Sequence, residues 1–358
     1  MAKVRLSGTI TGAHDPHRST RAKLLYLLYD AGWDIYNSNG DQRITLSNIE
    51  KKITEADGFV FTPGASLEDM FKAVSVFVGY QTLDKHLRGK PTVILNSDGS
   101  WDPFYGVLGH LHKLGTIKQE FREFLLSADT PESVLTTLTG AWQTGVPDAG
   151  REKIEDSMMP QVVDEPPPSH LLGNVCVFCS ATLEEESYLS DGESVGRAIA
   201  RAGFGCISGA GKSGIMGAVV KGSVDAGGWT GGSNVPHIIE LEGLPKGLSS
   251  FWLRPDIYTR MEVMIEHSNA FVIMPGGAGT FQELLALMIF RQQGNPLMQD
   301  KPVVIYNRQN RNGIGFWDPL IDLLDGVCQP GEFVVATEME DILPAIQSRL
   351  PQVVSNAS

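Results

Sequence analysis

Short apolar runs alternate with stretches of helical periodicity along most of the chain. In the C-terminal half, Val175–Cys179 reads as a strand, Asp191–Ala202 as an amphipathic helix and Phe204–Ser208 as a second strand. A glycine-rich turn leads into a helix from about Ile215, and His237–Leu241 reads as a third strand. A helix over Ile257–Ser268, a strand over Ala270–Met274, a second glycine turn, a helix over Thr280–Arg291 and a strand over Pro302–Tyr306 follow. Short apolar strands separated by helices of about 10–15 residues are the pattern of parallel βαβ units covered on both faces. The expected fold is α/β, a Rossmann-like doubly wound parallel sheet.

The N-terminal half repeats this plan in its letters. Ala31-Gly32-Trp33-Asp34-Ile35-Tyr36 parallels Ala202-Gly203-Phe204-Gly205-Cys206-Ile207, and Ala56 to Gly64 parallels Ser268 to Gly276. Lys90-Pro91-Thr92-Val93-Ile94-Leu95-Asn96 returns as Lys301-Pro302-Val303-Val304-Ile305-Tyr306-Asn307, and Trp101-Asp102-Pro103 as Trp317-Asp318-Pro319. Order and spacing kept together point to an internal duplication that yields two tandem domains. Residues 1–140 are expected to form a degenerate copy, 141–172 a linker carrying Pro166-Pro167-Pro168, and 173–350 the working copy. Consecutive prolines favour extended polyproline backbone and stop helices and central strands.

Composition narrows the function. Hydrophobic residues make up 42% and charged ones 20% of 358 residues, enough to bury a core in two domains. With 29 Lys and Arg against 42 Asp and Glu the net charge is −13, which argues against a nucleic-acid polymer as partner. A small anion held by backbone N–H groups and one or two arginines stays open. Neither a membrane-spanning run nor the apolar stretch of a signal peptide is present in the letters, so a cytoplasmic protein is expected. Four cysteines do not make a disulfide scaffold.

The candidate chemistry lies in the second copy. Pro275-Gly276-Gly277-Ala278-Gly279-Thr280 follows a strand and opens a helix, so its N–H groups can converge on an anion at the helix's positive end. Thr280 can cap that helix or bind a phosphate oxygen. Glu283 fits the third position of a capping box, and equally a carboxylate that steadies a cationic sugar or activates water. The first copy reads Pro63-Gly64-Ala65-Ser66-Leu67-Glu68, with two of the three glycines gone. Arg260, 15 residues before Pro275, becomes Asn48 at the matching place. That joint loss favours a functional Arg260 over a solvated surface arginine. Gly209-x-Gly211-x-x-Gly214 matches a dinucleotide fingerprint but follows the second strand of its domain, and reads as a second wall of the same site. A P-loop needs glycine at Cys206 and fails. Cys176-x-x-Cys179 has no second pair and reads as buried thiols, and His14-x-x-His17 as a polar loop; no metal is expected.

Pro275-Gly276-Gly277-Ala278-Gly279-Thr280-Phe281-Gln282-Glu283 resembles the PGGxGTxxE hallmark of the LONELY GUY family, often mislabelled lysine decarboxylase, and Arg260 and Gly214-Ile215-Met216-Gly217 fit it too. Pro255 to Glu262 is more similar to the bacterial nucleotide 5′-monophosphate nucleosidases of that family than to its plant members. The resemblance implies hydrolysis of the N-glycosidic bond of a nucleoside 5′-monophosphate to free base and ribose 5-phosphate, without a cofactor. It implies that Gly276, Gly277, Gly279 and Thr280 hold the phosphate, that Arg260 orients the nucleotide and that Glu283 supports the sugar. It also implies a homo-oligomer, a dimer or higher. Two other readings stay open: a nucleotide-sensing module without catalysis, and an NAD(P)-dependent oxidoreductase using Gly209–Gly214 with Glu240 or Glu242 on the ribose. A lysine decarboxylase would need a Schiff-base lysine for pyridoxal phosphate, and nothing around Lys212, Lys221 or Lys246 suggests one.

Overall fold

The computed structural model describes residues 2–7, 16–37, 46, 53–87, 89–150, 152–154 and 163–350. His14 and Asn48 lie outside them. The chain divides into two compact units, Met1–Glu152 and Lys153–Ser358.

The first unit runs β1 (Lys3–Ser7), α1 (Arg18–Asp30), β2 (Asp34–Asn37), β3 (Gly58–Phe61), α2 (Leu67–Gln81), β4 (Thr92–Leu95), α3 (Asp102–Lys113), β5 (Leu125–Ala128) and α4 (Pro131–Thr144). Its sheet is ordered β2-β1-β3-β4-β5 and all pairs are parallel. Helix α4 continues four residues past the expected start of the linker, capped at its beginning by Thr130 and closed by Gly145.

The second unit runs β6 (Asn174–Phe178), α5 (Glu186–Arg201), β7 (Gly205–Ser208), α6 (Gly214–Asp225), β8 (Thr230–Asn234), α7 (Pro236–Glu242), β9 (Ser250–Leu253) and α8 (Ile257–Glu266). It continues through β10 (Ala270–Ile273), α9 (Ala278–Gln292), β11 (Val303–Tyr306), α10 (Asp318–Val327), β12 (Val334–Ala336) and α11 (Ile342–Gln347). The seven strands are ordered β12-β11-β10-β6-β7-β8-β9, again all parallel.

The duplication is visible in the registers. Val4 faces Gly58 as Val175 faces Ala270, and Phe59 faces Thr92 as Phe271 faces Val303. Leu95 faces Ala128 as Tyr306 faces Ala336. Strands β1 to β5 thus repeat as β6, β7, β10, β11 and β12, while β8 and β9 have no counterpart among the described residues of the first unit.

One expected strand is wrong. His237–Leu241 lies in helix α7, and the strand at that point of the order is β8 just before it. Five mostly apolar residues fit either state by periodicity. Pro236 at the first helical position is the signal for a helix, since its fixed φ suits that place and its missing N–H is lost at no expense. Helix α5 also begins at Glu186 instead of Asp191: Tyr188 and Leu189 in its first turn are only half-buried, and Glu186, Ser187 and Ser190 around them are exposed, which breaks the apolar stripe.

In the second unit the chain leaves β6 toward β7, β8 and β9, then crosses to β10, β11 and β12 on the other side. The switch point lies between β6 and β10, where a crevice opens at the carboxyl ends of the strands.

Candidate active site

The turn after β10 sits on that crevice. Gly277 is the N-cap of α9 and offers no side chain to it. The backbone N–H groups from Gly276 to Thr280 bond no other group among the described residues. The turn is braced from behind instead, where Ser180 N–H donates to the Pro275 carbonyl at 3.0 Å. A Cβ on Gly276 would stand 2.1 Å from Thr280 Oγ1, so glycine there is what lets the threonine hydroxyl lie over the turn. Beside Gly279 the space is open. Unpaired donors at the positive end of a helix, with a hydroxyl among them, form an oxyanion cradle.

Glu283 lies one turn further into α9 and is only 6% exposed. Burial, opposed by Arg260 and reinforced by Glu242, pushes its carboxyl from the ordinary 4.5 up to about 7. Arg260 comes from α8, whose start is set by Asp256: its carboxylate accepts from Tyr258 N–H and Thr259 N–H at 2.9 and 2.8 Å. Arg260 is not a surface arginine, being 8% exposed. Its Nε donates to the Ser233 carbonyl at 2.9 Å and its Nη2 to the Gly209 carbonyl at 3.2 Å, with Glu283 Oε1 at 3.9 Å from Nη2. Two carbonyls thus hold the guanidinium in place, and its Nη1 bonds nothing among the described residues.

The Gly209–Gly214 segment closes the opposite wall after β7. A Cβ on Gly209 would fall 2.0 Å from Arg260 Nη2. One on Gly211 would meet Met216 Sδ at 3.0 Å and Glu242 Oε2 at 3.1 Å. Gly214 has φ +61, and its Cα faces the Ala181 and Ser180 carbonyls so closely that a Cβ would stand 2.6 Å from the Ala181 carbonyl carbon. The structure therefore brings Gly209, Gly211, Arg260 and Glu283 to one place, with the Gly276–Thr280 turn running into Glu283.

Two participants carried no sequence signal. Ser180 links three loops, since its N–H reaches Pro275, its carbonyl accepts from Met216 N–H at 3.1 Å and its hydroxyl accepts from Thr182 and Leu183 N–H. Ser233 holds Arg260 through a carbonyl, which any residue carries. Glu242, read from the letters only as a partner for a dinucleotide ribose, lies over Gly211 with its charge acting on Glu283. Glu240, its companion in that reading, pairs with Lys153. Cys176, Cys179 and Cys206 are free and wholly buried, and burial pushes each thiol up. Among the described residues no three His, Cys, Asp or Glu side chains are grouped to hold a metal, and no helix is long and apolar enough to cross a membrane.

The family described as "Possible lysine decarboxylase" matches residues 216–353. A cytokinin riboside 5′-monophosphate phosphoribohydrolase of Mycobacterium tuberculosis is 30% identical over 169 residues, covering 47% of this chain and 86% of that protein. An Arabidopsis thaliana protein of the same name is 29% identical over 177 residues, covering 48% of this chain and 76% of its own length.

Proposed function

Through its C-terminal unit the chain belongs to the LONELY GUY family of phosphoribohydrolases, and on that footing we propose that this unit hydrolyses the N-glycosidic bond of a nucleoside 5′-monophosphate to free base and ribose 5-phosphate. The observation that carries the reading is one continuous stretch of α9: unpaired backbone donors at its start, and Glu283 one turn on with Arg260 3.9 Å away.

The 5′-phosphate sits on the Gly276–Thr280 turn and takes a further hydrogen bond from Thr280 Oγ1. Arg260, held by the Ser233 and Gly209 carbonyls, orients the nucleotide through Nη1. As the C1′–N bond breaks, its electron pair leaves with the base and positive charge grows on the sugar, which ionised Glu283 stabilises in a water-poor setting. Water supplies oxygen to C1′ and a proton to the departing base, so atoms balance with no cofactor. Of the charges acting on Glu283, Arg260 favours the ionised form and Glu242 opposes it. The reading also takes the protein to be a cytoplasmic homo-oligomer.

The test incubates the full chain separately with AMP, GMP, IMP, CMP and UMP and follows free base by chromatography, with Glu283→Gln alongside. Base release from at least one nucleotide is expected, falling by at least ~10²-fold in the variant. Binding of AMP without base release from any of the five would overturn the hydrolase in favour of a nucleotide sensor.

A further inference from the structure

The Pro63–Ser66 turn lies between β3 and α2 as the Pro275–Ala278 turn lies between β10 and α9. Its leading donors are all taken. Gly64 N–H donates to Asp98 Oδ2 and to Ser100 Oγ, each at 2.9 Å, and Ala65 N–H donates to Ser100 Oγ at 3.0 Å. Ser66 then caps α2 reciprocally with Asp69: its hydroxyl accepts from Asp69 N–H at 3.1 Å, and Asp69 Oδ2 accepts from Ser66 N–H at 3.4 Å.

The segments that follow β4 and β11 explain the difference. Both are anchored alike. Asn96 donates to Asp102 Oδ1 at 2.7 Å and accepts from Trp101 N–H at 3.1 Å; Asn307 donates to Asp318 Oδ1 at 2.7 Å and accepts from Trp317 N–H at 2.7 Å. Between these anchors the first unit has residues 97–100 and the second 308–316. The short segment turns tightly, and Asp98 and Ser100 land on the Gly64 loop. The long one is a bridged hairpin in which Gln309 pairs with Gly315 and Arg308 engages Asp191 at 2.6 Å. Phe316 there stands at the place of Ser100 and packs edge-on against Trp317, with ring centroids 4.8 Å apart.

His17 and Arg21 complete the surroundings of this loop. His17 Nε2 is 3.2 Å from Asp98 Oδ2, and buried Arg21 donates to the Pro63 carbonyl at 2.7 Å. Partial burial works against ionisation, but hydrogen bonds from Ser100 and Gly64 and the nearby His17 keep the Asp98 carboxyl below its ordinary range.

We infer that Asp98 and Ser100 are the resident ligand of the N-terminal loop, occupying the backbone donors that the C-terminal loop leaves for an outside oxyanion. One loop per chain, not two, then takes a nucleotide phosphate; this count rests on the function proposed above. The assignment also explains why Gly64, with φ +76 against His17, stays glycine while its neighbours do not: no outside ligand has to approach them.

The test is hydrogen-exchange mass spectrometry on the full chain, with Glu283→Gln as the background for AMP addition. AMP is expected to slow exchange in a peptide over residues 274–281 and to leave one over 62–68 unchanged. Asp98→Ala with Ser100→Ala should speed exchange at 62–68 by about tenfold or more, since a charge-assisted and a neutral acceptor are both removed. Asp98→Asn keeps the shape without the charge and should give a smaller rise, which keeps the test decisive if the double variant does not fold. Slowing at 62–68 by AMP, or parental rates there in both variants, would overturn the assignment. Failure of 274–281 to respond to AMP would instead sink the proposed phosphate site, leaving Asp98 to be judged on the variants alone.

Discussion

Removing the charge of Glu283 is expected to stabilise the protein while it lowers turnover by at least ~10²-fold. The carboxyl ionises near 4.5 in the unfolded chain and near about 7 when folded, because it is buried. A carboxyl with a raised folded value imposes no penalty below 4.5, a growing one between 4.5 and about 7, and a constant one above. At about 1.4 kcal/mol per pH unit that plateau is about 3 kcal/mol against the folded state. Glu283→Gln should therefore gain about 1–3 kcal/mol over the parent at pH ~8.5, the lower figure allowing for the amide's own burial, and lose that advantage near pH ~4.5. Urea titrations at the two pH values, read by hydrogen exchange so that the two units are followed separately, measure the difference. A difference of equal size at both pH values, or a destabilised variant at high pH, would refute the reasoning. The outcome expected is a site held against the preference of its own scaffold.

Three further outcomes follow from the same geometry. If ionised Glu283 carries the reaction, kcat/KM rises with pH through a limb near about 7, and Glu242→Gln moves that limb to lower pH, because the Glu242 charge raises the Glu283 value; a limb unchanged in the variant would separate the two carboxylates. Gly276→Ala places a Cβ 2.1 Å from Thr280 Oγ1 and should lower kcat/KM by about 10–100-fold with the fold retained, measured by base release. Gly214→Val forces a branched residue to φ +61 and a Cβ to 2.6 Å from the Ala181 carbonyl carbon, so the C-terminal unit should lose about 1–3 kcal/mol or more in a denaturation series.

The strands that build the switch point were legible because a parallel strand buried on both faces is apolar along its length, as Ala270–Ile273 and the Val175–Phe178 stretch of β6 are. Strand β8 was not, because Thr230-Gly231-Gly232-Ser233-Asn234 has no apolar side chain to reveal it. Its glycines leave room for the rings of Trp229 and Trp252 and for Ala210, and its hydroxyls bond the Gly247 and Trp252 carbonyls. The same blind spot hid part of the site. Arg260 and Glu283 stand out by residue type and spacing, but the Ser233 carbonyl that orients Arg260 lies on β8 and is a backbone group. Glu242 was visible as a residue yet not for its charge on Glu283, because His237–Leu241 just before it read as a strand and lies in the helix that Glu242 ends.

That hidden strand bears on whether the first copy could be made to work. From Trp33 to Asn48 it has 15 residues where the second copy has 56 from Phe204 to Arg260. The surplus holds β8, α7 and β9, and with them both the carbonyl that holds the arginine and the helix that carries Glu242. The substitutions Ala65→Gly, Leu67→Gly, Glu68→Thr, Phe71→Glu and Asn48→Arg would thus return the letters of the motif but not the tether that aims it. A copy without those residues cannot gain the tether by point substitutions alone; only an insertion that builds a further strand beside the five-stranded sheet would supply it.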